Sequence, residues 1–356
     1  MRDINSMTLP EIEEAVLEMG EPKYRAKQIF TWLQRSGVTD YDQMTNISKA
    51  MRSKLFQKYD IFGCTIEKKL ISEYDNTVKY LFKLHDGSFI ESVLMKYKYG
   101  YTLCVSTQVG CNMGCQFCAS TISGKERDLT AGEILYQIHA AQQDMNVRVS
   151  HVVLMGMGEP LDNFENVVRF LNLVSCEEGL NIGMRNISLS TCGLVPRMDE
   201  LAGLKLQLTL SVSLHAPNDE IRTKLMPVNK RWHVRELIDA CRRYIQQTGR
   251  RISFEYAMIR DVNDSDECAA QLAALLKGML CHVNLIPVNA VRERDFVKSD
   301  KSRLESFIRI LEHRGINVTV RRSLGSDINA SCGQLRRAHR EEIAREGDMN
   351  ANCSQN

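Results

Sequence analysis

No stretch of this chain reaches the roughly 18 consecutive apolar residues that a membrane helix needs, and residues 1–20 lack the apolar segment of a secretory signal. A cytoplasmic protein without membrane attachment is expected. An excess of charge is also missing: 46 Lys and Arg stand against 44 Asp and Glu, a net +2. That balance neither indicates nor excludes nucleic acid, because a basic surface can hide inside a neutral total. There are no internal repeats, and the one biased stretch is the polar end, 344–356, expected to be a disordered tail. Twelve cysteines in 356 residues, about 3%, fall short of a disulfide scaffold. With 44% hydrophobic and 25% charged residues the composition is that of a globular protein, so disordered, collagenous and coiled-coil classes drop out.

In a reducing compartment a cysteine is by default a small buried hydrophobe, and clustered cysteines call for metal or catalytic chemistry. The pattern along the chain says where such a cluster would sit. The first ~60 residues read as helical: Thr8, Pro10 and Glu11 signal a capped start, Tyr24, Ile29, Trp32 and Leu33 mark the apolar side of a second helix, and residues 51–59 suggest a third. From 65 to 99 the period falls to two. Val78, Tyr80, Phe82 and Leu84 lead to Asp86-Gly87, the favoured hairpin dipeptide, with Ile90, Val93 and Met95 on the return strand. From 101 to about 320, strands near 102–107, 151–155, 186–190, 207–213, 252–259, 282–287 and 316–320 alternate with amphipathic helices, one opened by a Thr130/Glu133 capping box. The expected fold is α/β, a (βα)6 partial barrel whose chemistry sits at the C-terminal ends of its strands. The expected division is 1–62 helical accessory domain, 63–100 linking β-hairpin, 101–343 core with a catalytic cysteine loop, and the tail.

Directly after the first barrel strand comes Cys111-Asn-Met-Gly-Cys115-Gln-Phe-Cys118. Thiolates are soft ligands for zinc or iron–sulfur clusters. A closed zinc site wants four ligands, and no fourth Cys or His lies at a usual finger spacing nearby. Cys-x3-Cys-x2-Cys with an aromatic before the third Cys resembles the radical S-adenosylmethionine superfamily, in which three thiolates hold a 4Fe-4S cluster and leave one iron open. The next strand ends in Met155-Gly-Met-Gly158-Glu159-Pro160. Glycines let the backbone approach a ligand, and a carboxylate there can accept from an ammonium. This segment resembles the superfamily's Gly-Gly-Glu-Pro motif, which makes Gly158 and Glu159 candidate cofactor contacts. Later strand ends offer Ser190, then Ser213-Leu214-His215, then Asn289, small or polar groups where a ribose and adenine would lie. Taken singly, each also reads as a turn or strand cap.

Two further cysteines stand apart. Cys332 follows the last strand between glycines 325 and 333, and Cys104 lies seven residues before the cluster. Alone, either reads as an inert buried thiol. The strings 103–118, 155–163, 183–193, 213–217, 286–289 and 330–337 together resemble the RNA adenosine-C2 methyltransferases, the RlmN family, over nearly the full length. The resemblance implies a substrate adenosine in 23S rRNA and tRNA, one 4Fe-4S cluster on Cys111, Cys115 and Cys118, and two S-adenosylmethionine molecules per turnover. It implies that Cys332 carries a methyl group that a 5′-deoxyadenosyl radical activates for addition to adenine C2. Cys104 would then resolve the protein–RNA adduct by a transient disulfide with Cys332, and Glu91 would accept a proton. By spacing alone Glu91 reads as a solvent-facing strand carboxylate. An electron donor such as flavodoxin or ferredoxin is implied, and a monomer is expected. The alternatives are the sister C8 methylation of rRNA that confers antibiotic resistance (the Cfr type) and a non-catalytic iron–sulfur RNA-binding protein. Arginines 321, 322, 336, 337, 340 and 345 around Cys332, and Lys224, Lys230, Arg231 and Trp232, are candidate RNA contacts. The other seven cysteines (64, 176, 192, 241, 268, 281, 353) read as buried or incidental thiols.

Overall fold

Strictly sequential βα units leave a chain little choice but to lay each new strand beside the last. A computed structural model describes residues 2–288, 296–322, 324–328, 334–340 and 342. Ten of its strands form one sheet in chain order: β1 (Cys64–Ile71), β2 (Val78–Leu84), β3 (Phe89–Tyr97), β4 (Gly100–Cys104), β5 (Val149–Leu154), β6 (Ile187–Thr191), β7 (Thr209–Ser213), β8 (Ile252–Met258), β9 (Cys281–Pro287) and β10 (Val318–Val320). The first four pair antiparallel, and β4 to β10 run parallel. Among the described residues β1 and β10 do not pair, so the sheet is an open α/β partial barrel, as expected.

The parallel strands keep two unlike faces. Leu210 and Val212, Phe254 and Tyr256, and Val283 and Leu285 join the core under the helices, while Ser211, Ser213, Ser253, Glu255 and Asn284 alternate with them on the other face. That polar face is the inside of the barrel. The hairpin is different, because both its faces are buried. Val78, Tyr80, Phe82, Ile90 and Leu94 enter the main core, whereas Val93 and Met95 pack with Cys104 on the opposite side. Strands β1 to β3 thus extend the barrel sheet itself, and two-sided burial is why alternation across 78–95 did not separate the faces.

The capping boxes form as read: Thr130 accepts from Glu133 N at 3.1 Å while Glu133 Oε2 accepts from Thr130 N at 3.0 Å, opening the helix Ala131–Met145. At the start of Leu9–Glu18, Glu11 Oε2 accepts from Thr8 N at 2.7 Å and from Thr8 Oγ1 at 3.0 Å. In the second helix, Tyr24–Thr31, Ala26, Ile29 and Phe30 are the buried side, and Tyr24 faces solvent. The helices Val195–Gly203 and Asp219–Leu225 were not anticipated, being too short to display a helical period. The expected tail 344–356 lies outside the described residues.

The N-terminal helices share one core with the barrel and dock on Ala131–Met145. Asp3 Oδ2 accepts from Thr130 Oγ1 at 2.9 Å, and Gly132 N donates to Ser6 Oγ at 2.8 Å. Gly37 takes φ +64, and a Cβ there would lie 2.4 Å from the His139 ring, so only glycine allows this approach. Burial pushes the His139 pKa down to about 4. Its folded pKa is depressed, so the unfolded chain binds the proton more readily. The stability associated with neutral His139 is present above pH 6.5 and is lost as pH falls towards 4, at most about 3 kcal/mol. We expect the urea midpoint of His139→Gln to fall less between pH 7 and pH 5 than that of the native chain. Equal slopes would remove His139 from the acid response.

Candidate functional site

The cysteine loop hangs on a two-stranded ribbon, Gln108–Gly110 against Lys125–Asp128. Gly110 takes φ +82, and a Cβ there would lie 1.9 Å from the Gly124 carbonyl, so the crossing requires glycine. Cys111 N donates to Gly124 O at 3.1 Å, and Lys125 N donates to Asn112 Oδ1 at 2.7 Å. Thr121 Oγ1 donates to the carbonyls of Cys115 (3.1 Å) and Cys118 (2.9 Å), and Gln116 N donates to Leu225 O at 2.8 Å. The loop backbone is therefore fixed without help from the thiols.

Cys111 and Cys115 are buried and Cys118 partly so. Burial pushes the Cys111 thiol up to about 12, with Cys118, Glu159 and Asp162 adding to the effect. Cys115 is driven well above its usual range by burial and then by Cys118 and Cys111. Three thiols within electrostatic reach of one another ionise together only around a strongly positive centre. Among the described residues no three His, Cys, Asp or Glu side chains converge on a single ion-sized point. A donor set of three soft thiolates suits an iron–sulfur core.

Beside this loop lies a close-packed cradle. At Gly156 a Cβ would meet Val105 O at 2.6 Å, and at Gly158, with φ +107, it would meet Gln108 N at 2.8 Å, so the Met155–Pro160 turn touches the backbone leading into the cysteine loop. Glu159 is buried, and burial raises its carboxyl pKa. Its Oε2 accepts from Cys192 N at 2.7 Å and its Oε1 from Leu161 N at 3.1 Å. The carboxylate thus joins the end of β6 to the cradle and keeps further lone pairs for a ligand ammonium. Sequence reading missed Gln108, which is fully buried: its Oε1 accepts from Glu159 N at 2.9 Å and its Nε2 donates to Asp128 (2.7 Å) and Asp162 (2.9 Å).

The later strand ends meet on the polar face. Ser190 registers with Ser211, and Ser211 with Ser253. Ser213 registers with Glu255, which accepts from Ser253 Oγ (2.9 Å) and Asn284 Nδ2 (2.7 Å). Leu214 N donates to Glu255 O at 3.1 Å. His215 is held at φ +56, with its Nδ1 accepting from Ala257 N at 2.9 Å and its ring edge-on to Phe117 of the cysteine loop at 4.7 Å. Burial, then Arg222, pushes its pKa down to about 3, which makes it a neutral ring. Asn289 lies outside the described residues.

Arg222 carried no signal in the sequence. It is 1% exposed, and its guanidinium donates to the carbonyls of Cys192 (2.7 Å), Ser213 (3.2 Å) and Leu214 (3.2 Å) and to Asn229 Oδ1 (3.0 Å). Among the described residues it has no ion-pair partner, and it acts electrostatically on Cys115 and Cys192. One side chain therefore ties the end of β6, the end of β7 and the following turn into a single unit.

Glu91 is not a solvent-facing carboxylate. It is buried, its Oε2 pairs with Lys79 Nζ at 3.1 Å, and its Oε1 accepts from Arg336 N at 2.6 Å. Lys79 sits diagonally across the hairpin, where Leu81 opposes Glu91 and Lys79 opposes Val93. Val93 in turn opposes Cys104, which places Cys104 and Glu91 on one face. Cys104 is buried, packed with Val93 and Met95 and against Tyr97, Val153, Met155 and Leu324. Cys332 lies outside the described residues, but both flanks of its segment dock here: Leu324 on the Cys104 cluster, and Leu335 on Leu81 and Phe89. Asp327 caps the β1–β2 turn, accepting from Ser72 Oγ (2.7 Å) and Glu73 N (2.9 Å). Arg336 is buried in a pair with Glu126, which also holds Arg340, so these two arginines stabilise the docked segment and do not form a free basic surface. In the second basic group Lys224 pairs with Glu220, and Arg231 stacks on Trp232 at 4.6 Å.

An open parallel barrel with a three-thiol loop after its first strand and a glycine cradle after the next defines a radical S-adenosylmethionine enzyme. The comparisons agree: residues 105–273 match the radical SAM superfamily model and residues 2–61 the ribosomal RNA large subunit methyltransferase N-terminal domain. The chain is 54% identical over 339 residues to a probable dual-specificity RNA methyltransferase RlmN of Desulforamulus reducens, covering 95% of this chain and 96% of that protein. It is 55% identical over 337 residues to a protein of the same description from Alkaliphilus oremlandii, covering 95% and 98%. The crystal structure of a radical SAM methyltransferase from Sphaerobacter thermophilus superposes with a TM-score of 0.89 at 45% identity, covering 94% of this chain and 99% of that one. The chain belongs to the RlmN family.

Proposed function

We propose that this protein methylates C2 of a specific adenosine in 23S rRNA and of an adenosine in the tRNA anticodon loop, through a methylated Cys332. The observation that carries the reading is the shared face of Glu91 and Cys104, with the chain on both sides of Cys332 docked against it. A 4Fe-4S cluster on Cys111, Cys115 and Cys118, when bound, supplies the electron that cleaves S-adenosylmethionine to a 5′-deoxyadenosyl radical. The cradle at Gly158 and Glu159, with Ser190, Ser213, Leu214, His215 and Asn289, binds and orients the cofactor. The Cys332 thiolate would take a methyl group by displacement from one S-adenosylmethionine, releasing S-adenosylhomocysteine, and present it to the radical formed from a second. Glu91 accepts the proton lost from adenine C2, with Lys79 holding its charge. Cys104 attacks the Cys332 sulfur of the adduct, forming the transient disulfide and freeing the methylated base.

The C2 assignment is favoured over C8 methylation and over a non-catalytic RNA-binding role by the relatives' description as dual-specificity RNA methyltransferases. No helix among the described residues is long and apolar enough to cross a membrane. A cytoplasmic monomer served by flavodoxin or ferredoxin completes the reading. Anaerobic reconstitution with iron, sulfide, S-adenosylmethionine and reductant should yield 5′-deoxyadenosine and 2-methyladenosine in both RNA types. Mass spectrometry finding only 8-methyladenosine would sink the assignment.

A further inference from the structure

Below Cys104 on the same face of the sheet lies an aromatic stack that the proposed chemistry leaves without a task. Tyr97 packs against the Cys104 cluster. Tyr99 lies over it with ring centroids 5.0 Å apart and planes 5° from parallel, and His151 meets Tyr99 edge-on at 4.7 Å. Tyr99 is 61% exposed. The stack is held from beneath: Gly100 takes φ +127, and a Cβ there would lie 2.4 Å from Ser150 Oγ, while Ser150 Oγ also contacts His151 Nδ1 at 2.9 Å. The β3–β4 turn and the start of β5 are thereby locked together, which fixes the ring planes.

Cationic side chains surround the stack. Arg321 and Arg322 lie close enough to act electrostatically on the Tyr97 phenol, and Lys98, between Tyr97 and Tyr99, is exposed. Singly exposed tyrosines are ordinary on protein surfaces. Two parallel, stacked rings, one anchored beside Cys104 and the other open, with arginine and lysine nearby, have the composition of a single-strand binding platform: aromatic faces for bases and cations for phosphates.

We propose that Tyr97, Tyr99 and His151 form a stacking lane for an unpaired base of the RNA substrate, next to the adenosine that enters between Glu91 and Cys104. The proposal rests on the RNA-methylating reading above and adds to it the surface that holds the neighbouring nucleotide. An adenosine that leaves its stack to reach Cys104 deprives its neighbour of a stacking partner. The open face of Tyr99 restores that partner, and Arg321, Arg322 and Lys98 take the adjoining phosphates. The lane is tolerant of base identity, because every base offers a π-face. It therefore does not require the two RNA substrates to share the neighbouring base.

The test is the affinity of the holoenzyme, without reductant, for a fluorescently labelled tRNA anticodon stem-loop, measured by anisotropy. Tyr99→Ala should weaken binding roughly 5- to 100-fold, while Tyr99→Phe and Tyr99→Trp stay within about twofold of the native protein. The slope of affinity against salt should not change, because stacking releases no counterions. Formation of 5′-deoxyadenosine in the absence of RNA should be the same in Tyr99→Ala and the native protein, which shows an intact fold and cluster. Native affinity in Tyr99→Ala, or a loss accompanied by a shallower salt slope, would overturn the lane. A native protein that methylates the stem-loop while Tyr99→Ala binds it normally defeats the lane alone; a native protein that cannot methylate any RNA defeats the underlying reading.

Discussion

Cys332→Ala loses methyl transfer, by at least about a thousandfold, whereas Cys104→Ala stays attached to its RNA. In the proposed relay the two outcomes differ because the two thiols act at opposite ends of one covalent intermediate. Without Cys332 no sulfur carries the methyl group, so cleavage of S-adenosylmethionine has nothing productive to activate. Without Cys104 the adduct forms but cannot be released, since breaking the Cys332–carbon bond needs a second sulfur to attack the first. The position of Cys104 supports that role: it ends β4 on the face where the arms of the Cys332 segment dock. The remaining described cysteines, apart from the cluster trio, are at 64, 176, 192, 241, 268 and 281. Denaturing electrophoresis of reacted Cys104→Ala should show a protein band shifted by the mass of the RNA. Product analysis of Cys332→Ala should show no methyladenosine. Native turnover in Cys332→Ala, or free product from Cys104→Ala, would refute the relay.

The second large effect concerns stability. Arg222→Leu removes a buried guanidinium whose donors reach three main-chain carbonyls and Asn229. Those acceptors would remain buried without donors, at roughly 1–3 kcal/mol for each unsatisfied group, so a total loss of about 3 kcal/mol or more is expected. Arg222→Lys keeps a charge but not the planar fork and should fall between. Urea unfolding of the cluster-free chain measures both; a loss below about 1 kcal/mol for Arg222→Leu would show that the strand ends hold together without it. The same substitution should slacken the turn carrying Leu214 and His215, because Arg222 holds the carbonyls of Ser213 and Leu214.

Much of the site was readable because its signals are local. Three cysteines within eight residues, a Gly-Glu-Pro turn after the next strand, and capping boxes three residues long are all fixed by spacings along the chain. The alternation of strands and helices likewise gave the parallel order, since consecutive βα units have one favoured handedness. Gln108, Arg222 and the burial of Glu91 had no such signal. Gln108 acquires meaning only when Glu159, 51 residues on, donates to it. Arg222 gathers carbonyls that come from 8 to 30 residues away. Glu91 looked like a surface carboxylate because nothing in a two-residue period reveals that a later segment will cover the second face of the hairpin.

By itself, then, the sequence singled out the side chains proposed to hold a cluster, where the strands and turns fall, and, through its family likeness, what reaction to expect. The tertiary structure alone decided which charges are buried together, as with Lys79 and Glu91, and which aromatic rings line up beside Cys104. The physical reason is range. Backbone preferences and ligand spacings act over a few residues, whereas desolvation and packing depend on what distant parts of the chain bring against each surface.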